Sequence, residues 1–485
     1  MKPVNLGDID DDIEDAPRVC HSCIGDTQLN TEIRRFGQPA PCDYCDNVRL
    51  RTVSIAKLAE RIDPVYRIMV GVGDQEPDFD QDSDNVRWII RGDKPSQLIG
   101  DMISCADDSI AEAIVEQLGS DHSYAIGMGE DRDLYDDSED IFVVETPEDP
   151  EFRMAWESFC QSIKHERRFF SVGAITLLDK ILGAILEGRQ KIFRNVIRTI
   201  GPEDEDRFVF RGRLANEEGA RTRIYAAPIA ELSAPPPTHA TAGRMNSAGI
   251  SVFYGSADAA TAAAELRVPV GGVAVVGRFE IIRPLRLLDL TRLELVHNDL
   301  SYFHPDYFTM HSHASFLRGF HREIRKPIIP GRETLEYLPT QVVAEYLWTR
   351  GKLAVDGLIF SSSQVSGGMT NIVLFPHACV VENAPDEVRR EVAGVYQFGG
   401  SDEEAPDGVE TVYLHPVPPT QEAVKEDKTG LGDLWFEPIV EEPKPTVAAS
   451  LRLDISTIRK VSVDAIQYVV SETPVEMHGE TQMPF

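Results

Sequence analysis

Phe208-Val-Phe-Arg-Gly-Arg213 is the stretch from which the fold is read. It follows an acidic linker that begins at Gly201-Pro202, and its side chains alternate as those of a strand with one buried face do. Working outward, further strands are expected at residues 251–255, 273–282, 357–361, 371–375 and 379–382. Helices are expected between them at 257–267, 308–324 and 338–352. Strands interspersed with isolated helices predict an α+β or mixed α/β domain over residues 205–385, with α+β the class expected. Beyond it, residues 386–485 are acidic and Pro-rich, with Pro416-Val-Pro-Pro419 marking a linker or loop. Residues 461–470 alternate like one last strand, which either returns to an earlier sheet or stays a loose tail.

Upstream of the linker the period changes to that of helices. Residues 52–63 are amphipathic, with Ser54 placed to cap a helix. Residues 95–118 carry Leu98, Met102, Cys105, Ile110, Ala113, Ile114 and Leu118 at helical spacing. Residues 152–170 carry Phe152, Trp156, Phe159, Ile163, Phe169 and Phe170, and residues 172–200 are rich in Leu and Ile. Such apolar stripes are read as core. The first two hundred residues therefore divide into a small lobe over 1–50 and a helical domain over 51–200. No internal repeat is found.

Lys and Arg number 48 against 80 Asp and Glu, a formal charge of −32. Affinity for nucleic acid rests on cations that neutralise phosphates, so such a surface disfavours DNA or RNA. Arg34, Arg35, Arg49 and Arg51 could form a small basic patch for RNA, against which the overall charge weighs. The acid clusters at 8–15, 74–84, 130–140, 145–151, 203–206 and 402–404, read as solvated loops or tails. No apolar run approaches the roughly 18 residues of a membrane span. Met-Lys-Pro followed by acid lacks the apolar core of a signal peptide, and a cytoplasmic location without membrane contact is expected.

Of seven cysteines, four form two Cys-x-x-Cys pairs, Cys20/Cys23 and Cys42/Cys45, with 18 residues between the pairs. That falls within the roughly 15–20 residue separation of zinc sites. Each tight turn aims two thiolates at one ion, and four thiolates close a tetrahedron, so the expected ion is structural Zn²⁺. Two unrelated thiol pairs, or one redox pair, remain the alternatives. His21 is read as a bystander, and Cys105, Cys160 and Cys379, in apolar stretches, as core.

Three segments carry the candidate chemistry. They are Phe210-Arg-Gly-Arg213; Gly243-Arg-Met-Asn246 with Ser251-Val-Phe-Tyr-Gly-Ser256 and Thr261-Ala-Ala-Ala-Glu-Leu-Arg267; and Asp356-Gly-Leu-Ile-Phe-Ser-Ser-Ser363 with Asn371-Ile-Val-Leu-Phe375. Two arginines, a glutamate and a serine converging on one cleft would suit a dinucleotide. A guanidinium grips diphosphate with a planar fork of donors, and a carboxylate stabilises an oxocarbenium-like sugar. Taken singly, each has an ordinary reading: Arg211 as an edge-strand ion pair, Glu265 as a solvated helix residue, Ser361–Ser363 as a turn.

In order and spacing these segments resemble the RES family, named for its Arg, Glu and Ser motifs. The resemblance covers roughly 180 residues, including the Tyr337-x-x-Thr340-Gln341…Glu345 helix. It implies an ADP-ribosyltransferase-like mixed β core that cleaves NAD⁺ at the nicotinamide–ribose bond, often with phosphate as acceptor. Arg211, Glu265 and Ser362 would be catalytic, and Arg244, Tyr254 and Asn371 would bind NAD⁺. Ser362 is chosen over Ser361 and Ser363 because one residue separates the family serine from the apolar strand. Met245 departs from a common Trp, and Gln364 from an Arg in some members. Many members are toxins silenced by a cognate antitoxin. Alternatives are an ADP-ribosyltransferase acting on a protein, or an inactive interaction module.

The N-terminal half is similar to the HEPN-type helical segment fused to RES domains, through Trp156-x-x-Phe159…Ile163-Lys-His165…Arg168-Phe-Phe170. Arg153 and His165 are too far apart for the Arg-x₄₋₆-His motif of HEPN ribonucleases, so ribonuclease activity is not expected.

Overall fold

The computed structural model describes residues 5–10, 16–45, 47, 50–79, 86–127, 133–147, 150–188, 191–326, 328, 331–365, 367–382, 390–398, 409–416 and 447–467. Of the sequence features above, Arg49, residues 402–404, 417–419 and 468–470, and parts of the acidic blocks at 8–15, 74–84, 130–140 and 145–151 lie outside them. The chain forms two compact units. The first is Met1–Glu157 with Leu295–Gly319, the second Ser158–Glu294 with Phe320–Phe485.

In the first unit, β1 (Arg18–Cys20), β2 (Gln38–Pro39) and β3 (Arg51–Ser54) form a small antiparallel sheet, with α1 (Thr27–Phe36) in the connection. α2 (Ile55–Met69) starts where the sequence predicts, because the Ser54 side chain accepts the Lys57 amide. β4 (Val70–Val72) pairs with β7 (Phe142–Val144), and β5 (Gln75–Phe79) with β6 (Val86–Ile90). The helical pattern over 95–118 is two helices, α3 (Pro95–Ile103) and α4 (Asp108–Gly127). Ser104 turns left-handed at φ 50°, ending α3, and Asp107 accepts from the Ser109 amide and hydroxyl as α4 begins. Leu29, Ile33, Leu58, Ile62, Tyr66, Ile99 and Ile114 fill one core with Phe303 and Tyr307 of the later segment.

α5 (Glu151–His165) buries Phe152, Trp156, Phe159 and Ile163 as expected. Phe169 and Phe170 do not follow them. The helix ends at His165, Arg168 bonds the carbonyls of Ile163 and Lys164, and the two rings are 89% and 94% exposed. The run 172–200 is likewise shorter as a helix. α6 (Val172–Glu187) ends at Gly188 in the left-handed region, φ 62°, and Ile197–Ile200 is a strand, β8.

The second unit is built on an eight-stranded sheet. After β8 come β9 (Phe208–Leu214), β10 (Phe253–Ser256), β11 (Val273–Ile281), β12 (Leu285–Asp289), β13 (Gly357–Ser361) and β14 (Thr370–Leu374). β15 (Arg390–Phe398) and β16 (Val409–Pro416) pair with each other, and β17 (Leu451–Ser462) returns to the sheet. The order is β17-β11-β9-β10-β14-β13-β12-β8. Every pairing is antiparallel except β12 with β13. The last strand thus joins the sheet along β11, starting ten residues before the expected 461. Residues 379–382 are not a strand: Val381 makes one isolated bridge to Leu451. Buried Phe253, Val275, Phe279, Leu285, Leu287 and Leu374 form the core. Besides α6, this unit contains the helices α7 (Glu218–Ala226), α8 (Pro228–Leu232), α9 (Ala259–Glu265), α11 (Glu333–Glu336) and α12 (Leu338–Thr349), and, from Phe320 on, the end of α10 (Tyr307–Arg325), whose earlier turns belong to the first unit. The fold is mixed, with a large sheet and separate helices, and its class is α+β. No helix among the described residues is long and apolar enough to cross a membrane.

Candidate active site

Arg211 sits on β9, which lies inside the sheet between β10 and β11, so the edge-strand reading of this residue fails. It is 6% exposed. Its Nη1 donates to the Tyr254 carbonyl at 2.7 Å, and its guanidinium lies 5.0 Å from the Phe253 ring centre. Its Nε is buried without a partner. Arg213, two residues on and hence on the same face, donates to the carbonyls of Glu231 and Ser233. Burial, with the second cation beside it, lowers the Arg211 guanidinium pKa. No carboxylate is bonded to it among the described residues, so it is a buried cation lacking a counter-charge.

Arg244 is aimed by a tight turn. The Gly243 amide donates to the Asn246 carbonyl at 2.9 Å, and a Cβ on residue 243 would sit 2.6 Å from Asn246 Oδ1 and 2.8 Å from the Tyr254 hydroxyl, so only glycine fits. The Tyr254 hydroxyl accepts from the Met245 amide and donates to Asn246 Oδ1. From α12, Gln341 Nε2 donates to the carbonyls of Gly243 and Asn246, and Thr340 Oγ1 to that of Arg244. Arg244 itself donates to the Ile324 carbonyl and lies over the Tyr337 ring at 5.4 Å. Tyr254 thus braces the turn with its hydroxyl while its side lines the cleft. Met245, the departure from Trp, is buried at 2% exposure.

Glu265 is the last residue of α9. Asp258 caps this short helix by accepting the Thr261 amide and hydroxyl, and its alanines pack closely against Ala274 and Val276 of the sheet. Glu265 Oε1 accepts from Ser362 Oγ at 2.6 Å and from Asn371 Nδ2 at 2.7 Å. Asn371 lies directly across from Ser256 in the β10–β14 register, and its Oδ1 accepts from the Ser256 hydroxyl at 2.7 Å. Ser362 is fixed in turn: its amide donates to the Met369 carbonyl, and its Oγ accepts the Gln364 amide. Both donors on Glu265 fall on Oε1. Oε2 has no protein partner among the described residues.

Arg211, Arg244, Tyr254, Glu265 and Asn371 line one cleft of about 440 Å³. Ser361 and Ser363 also line it, and Ser362 reaches it through Glu265. Among the described residues, five arginines line this cleft, at 211, 213, 244, 267 and 325, against one carboxylate, Glu265. A cationic cleft in a chain of charge −32 selects an anion. Sequence reading does not single out Ser256, Thr340, Gln341, Arg267 or Arg325 as site residues. The first three act through contacts 94 or more positions apart, Arg267 lies two residues beyond the end of α9, and Arg325 is the last residue of α10.

The four cysteines of the first unit come together. Sγ–Sγ distances are 3.6 Å for Cys20–Cys23, 3.7 Å for Cys20–Cys45 and 3.9 Å for Cys23–Cys42, and all four lie within 4.8 Å of one another. Metal–sulfur bonds of 2.3 Å in a tetrahedron require about 3.8 Å between sulfurs, so the donor set fits one ion. His21 is not among the clustered ligands.

Residues 218–392 match the family described as RES domain, and residues 36–175 that described as HEPN/RES N-terminal domain 1. No curated protein matches the chain. The chain therefore carries a region similar to RES domains at 218–392, preceded by one similar to HEPN/RES N-terminal domains at 36–175.

Proposed function

We propose that the cleft binds NAD⁺ and cleaves its nicotinamide–ribose bond, with phosphate as the acceptor, on an ADP-ribosyltransferase-like core spanning residues 205–385. The observation that carries this reading is the half-satisfied carboxylate of Glu265. One oxygen is locked by Ser362 and Asn371, the other has no protein partner among the described residues, and five arginines line the same cleft. Arg211 and Arg244 grip the diphosphate, to which the unpartnered Arg211 Nε is suited. Tyr254 offers its ring to the nicotinamide or its ribose. Glu265 stabilises positive charge on the ribose, and Ser362 and Asn371 hold the carboxylate in place.

The chemistry suits a fixed anion better than an acid. When the C1″–N bond breaks, its electron pair leaves with nicotinamide and quenches the pyridinium charge, so the leaving group needs no proton. A phosphate oxygen then forms the new bond to C1″, giving ADP-ribose 1″-phosphate. Cys20, Cys23, Cys42 and Cys45 would hold a structural Zn²⁺, and with four thiolates as ligands the ion would have no position left for catalysis. A cytoplasmic toxin or defence effector with a cognate protein inhibitor is the setting this activity suits.

Mass spectrometry of products after incubation with NAD⁺, with and without phosphate, tests the reading. Nicotinamide and ADP-ribose 1″-phosphate are expected when phosphate is present. Label retained on protein would instead indicate a protein acceptor, and free ADP-ribose would indicate water. No nicotinamide release under any condition would overturn the proposal.

A further inference from the structure

β13 ends at Ser361, one residue before the serine that holds Glu265. Amides along a strand point alternately to its two sides. The Ser362 amide bonds the β14 side, to the Met369 carbonyl at 2.7 Å, so the Ser361 amide faces β12. But β12 stops short: its register with β13 ends at Asp289 opposite Ile359. The ladder therefore has no acceptor for Ser361. His321, on the last turns of α10 and 1% exposed, takes that place, with its Nε2 3.3 Å from the Ser361 amide. A ring nitrogen that accepts carries no proton, so the proton is on Nδ1, which donates to Glu294 Oε1 at 3.2 Å.

We propose that His321 is a positioning residue: by accepting the Ser361 amide where β12 gives out, it sets the end of β13 and so aims Ser362 at Glu265. This rests on the reading of Glu265 as the group that faces the ribose. A buried apolar residue would fill the same volume but leave the Ser361 N–H unpaired at the point where the strand turns into the site. Glu294, half exposed, orients the ring from outside. The other charged groups acting on the imidazole are Arg325 on its own helix and Asp289 at the end of β12.

A pH dependence follows from this arrangement. Burial lowers the His321 pKa below 6.5, opposed by Glu294. Above its lowered pKa the ring is neutral and Nε2 accepts. As pH falls through it, Nε2 gains a proton and two donors face each other, so the support of Ser361 is lost on the acid side.

The test compares His321→Gln and His321→Leu with the wild type, by NAD⁺ turnover against pH and by hydrogen exchange of the 357–364 segment. Glutamine can present an oxygen to the Ser361 amide and does not titrate. We expect an acid limb in wild-type kcat below pH 6.5 that is absent from His321→Gln, which keeps at least about half of the wild-type kcat. In His321→Leu, kcat falls about tenfold with KM changed less than about twofold, and Ser361 loses exchange protection. An unchanged kcat in His321→Leu, or the same acid limb in His321→Gln, overturns the proposal. If His321→Leu fails to fold, the acid limb of His321→Gln decides alone. If the wild type turns over no NAD⁺, the functional reading fails, and exchange at Ser361 judges the positioning role by itself. Equal protection in wild type and His321→Gln at pH 7, with loss only in the wild type at low pH, supports it; acid loss of the same size in both contradicts it.

Discussion

Two glutamate sites, one in each unit, hold their carboxylates in opposite ways. In the first unit Glu32 is closed. Arg61 grips both of its oxygens, the Leu6 amide and Gln28 side chain add to them, and Arg61 also donates to the Phe303 carbonyl. In the second unit Glu265 is open, with two donors on one oxygen, and Arg211 is a buried guanidinium with an unpartnered Nε. The residue types are the same. What distinguishes a staple from a site is whether the hydrogen-bonding capacity is filled by the protein or left for a ligand.

Replacing the arginine in each place should sharpen that contrast most. Arg61→Met leaves Glu32 buried and unpaired, and should lower stability by about 3–5 kcal/mol in denaturant unfolding. Arg211→Met removes a buried charge with no counter-charge. It should change stability by less than about 1 kcal/mol while weakening NAD⁺ about tenfold to a hundredfold in calorimetry. Destabilisation of equal size in both variants would erase the distinction.

A smaller effect is expected where the turn meets the cleft. Gly243→Ala must push Asn246 or Tyr254 aside and so moves Arg244, raising KM for NAD⁺ about tenfold with the fold retained. A KM at the wild-type value would mean that the turn does not aim Arg244. The smallest effect belongs to the exposed ring at 170. Phe170→Ser should shift the unfolding free energy by less than about 0.5 kcal/mol, against several for Phe159→Ala, whose ring is 6% exposed. A large loss at Phe170 would restore the continuous stripe that the sequence suggests.

That stripe marks where sequence reading works and where it stops. Strands β9, β11, β13 and β14 and the cap at Ser54 were legible because period and capping are local. The cysteine pairs were legible because ligand spacing is nearly a geometric statement. Phe169 and Phe170 continue the composition of α5 but not its helix, and Ser104 breaks a run whose apolar period does not falter. Residues 379–382 have the composition of a strand yet find only one bridging partner. In the candidate site, the motif residues were legible as residues, Thr340 and Gln341 among them, but the bracing role of those two was not. Gln341 and Thr340 hold the Arg244 turn from about a hundred residues away, and His321 serves a strand end whose missing neighbour is visible only in the sheet register.

The central claim is that an open carboxylate on Glu265 faces the sugar of NAD⁺. Glu265→Gln keeps its size and an oxygen for Ser362 and Asn371 but removes the charge, so nicotinamide release under saturating NAD⁺ measures that charge directly. The account predicts binding within a fewfold of wild type and release slower by about a hundredfold or more. Release at the wild-type rate would contradict it.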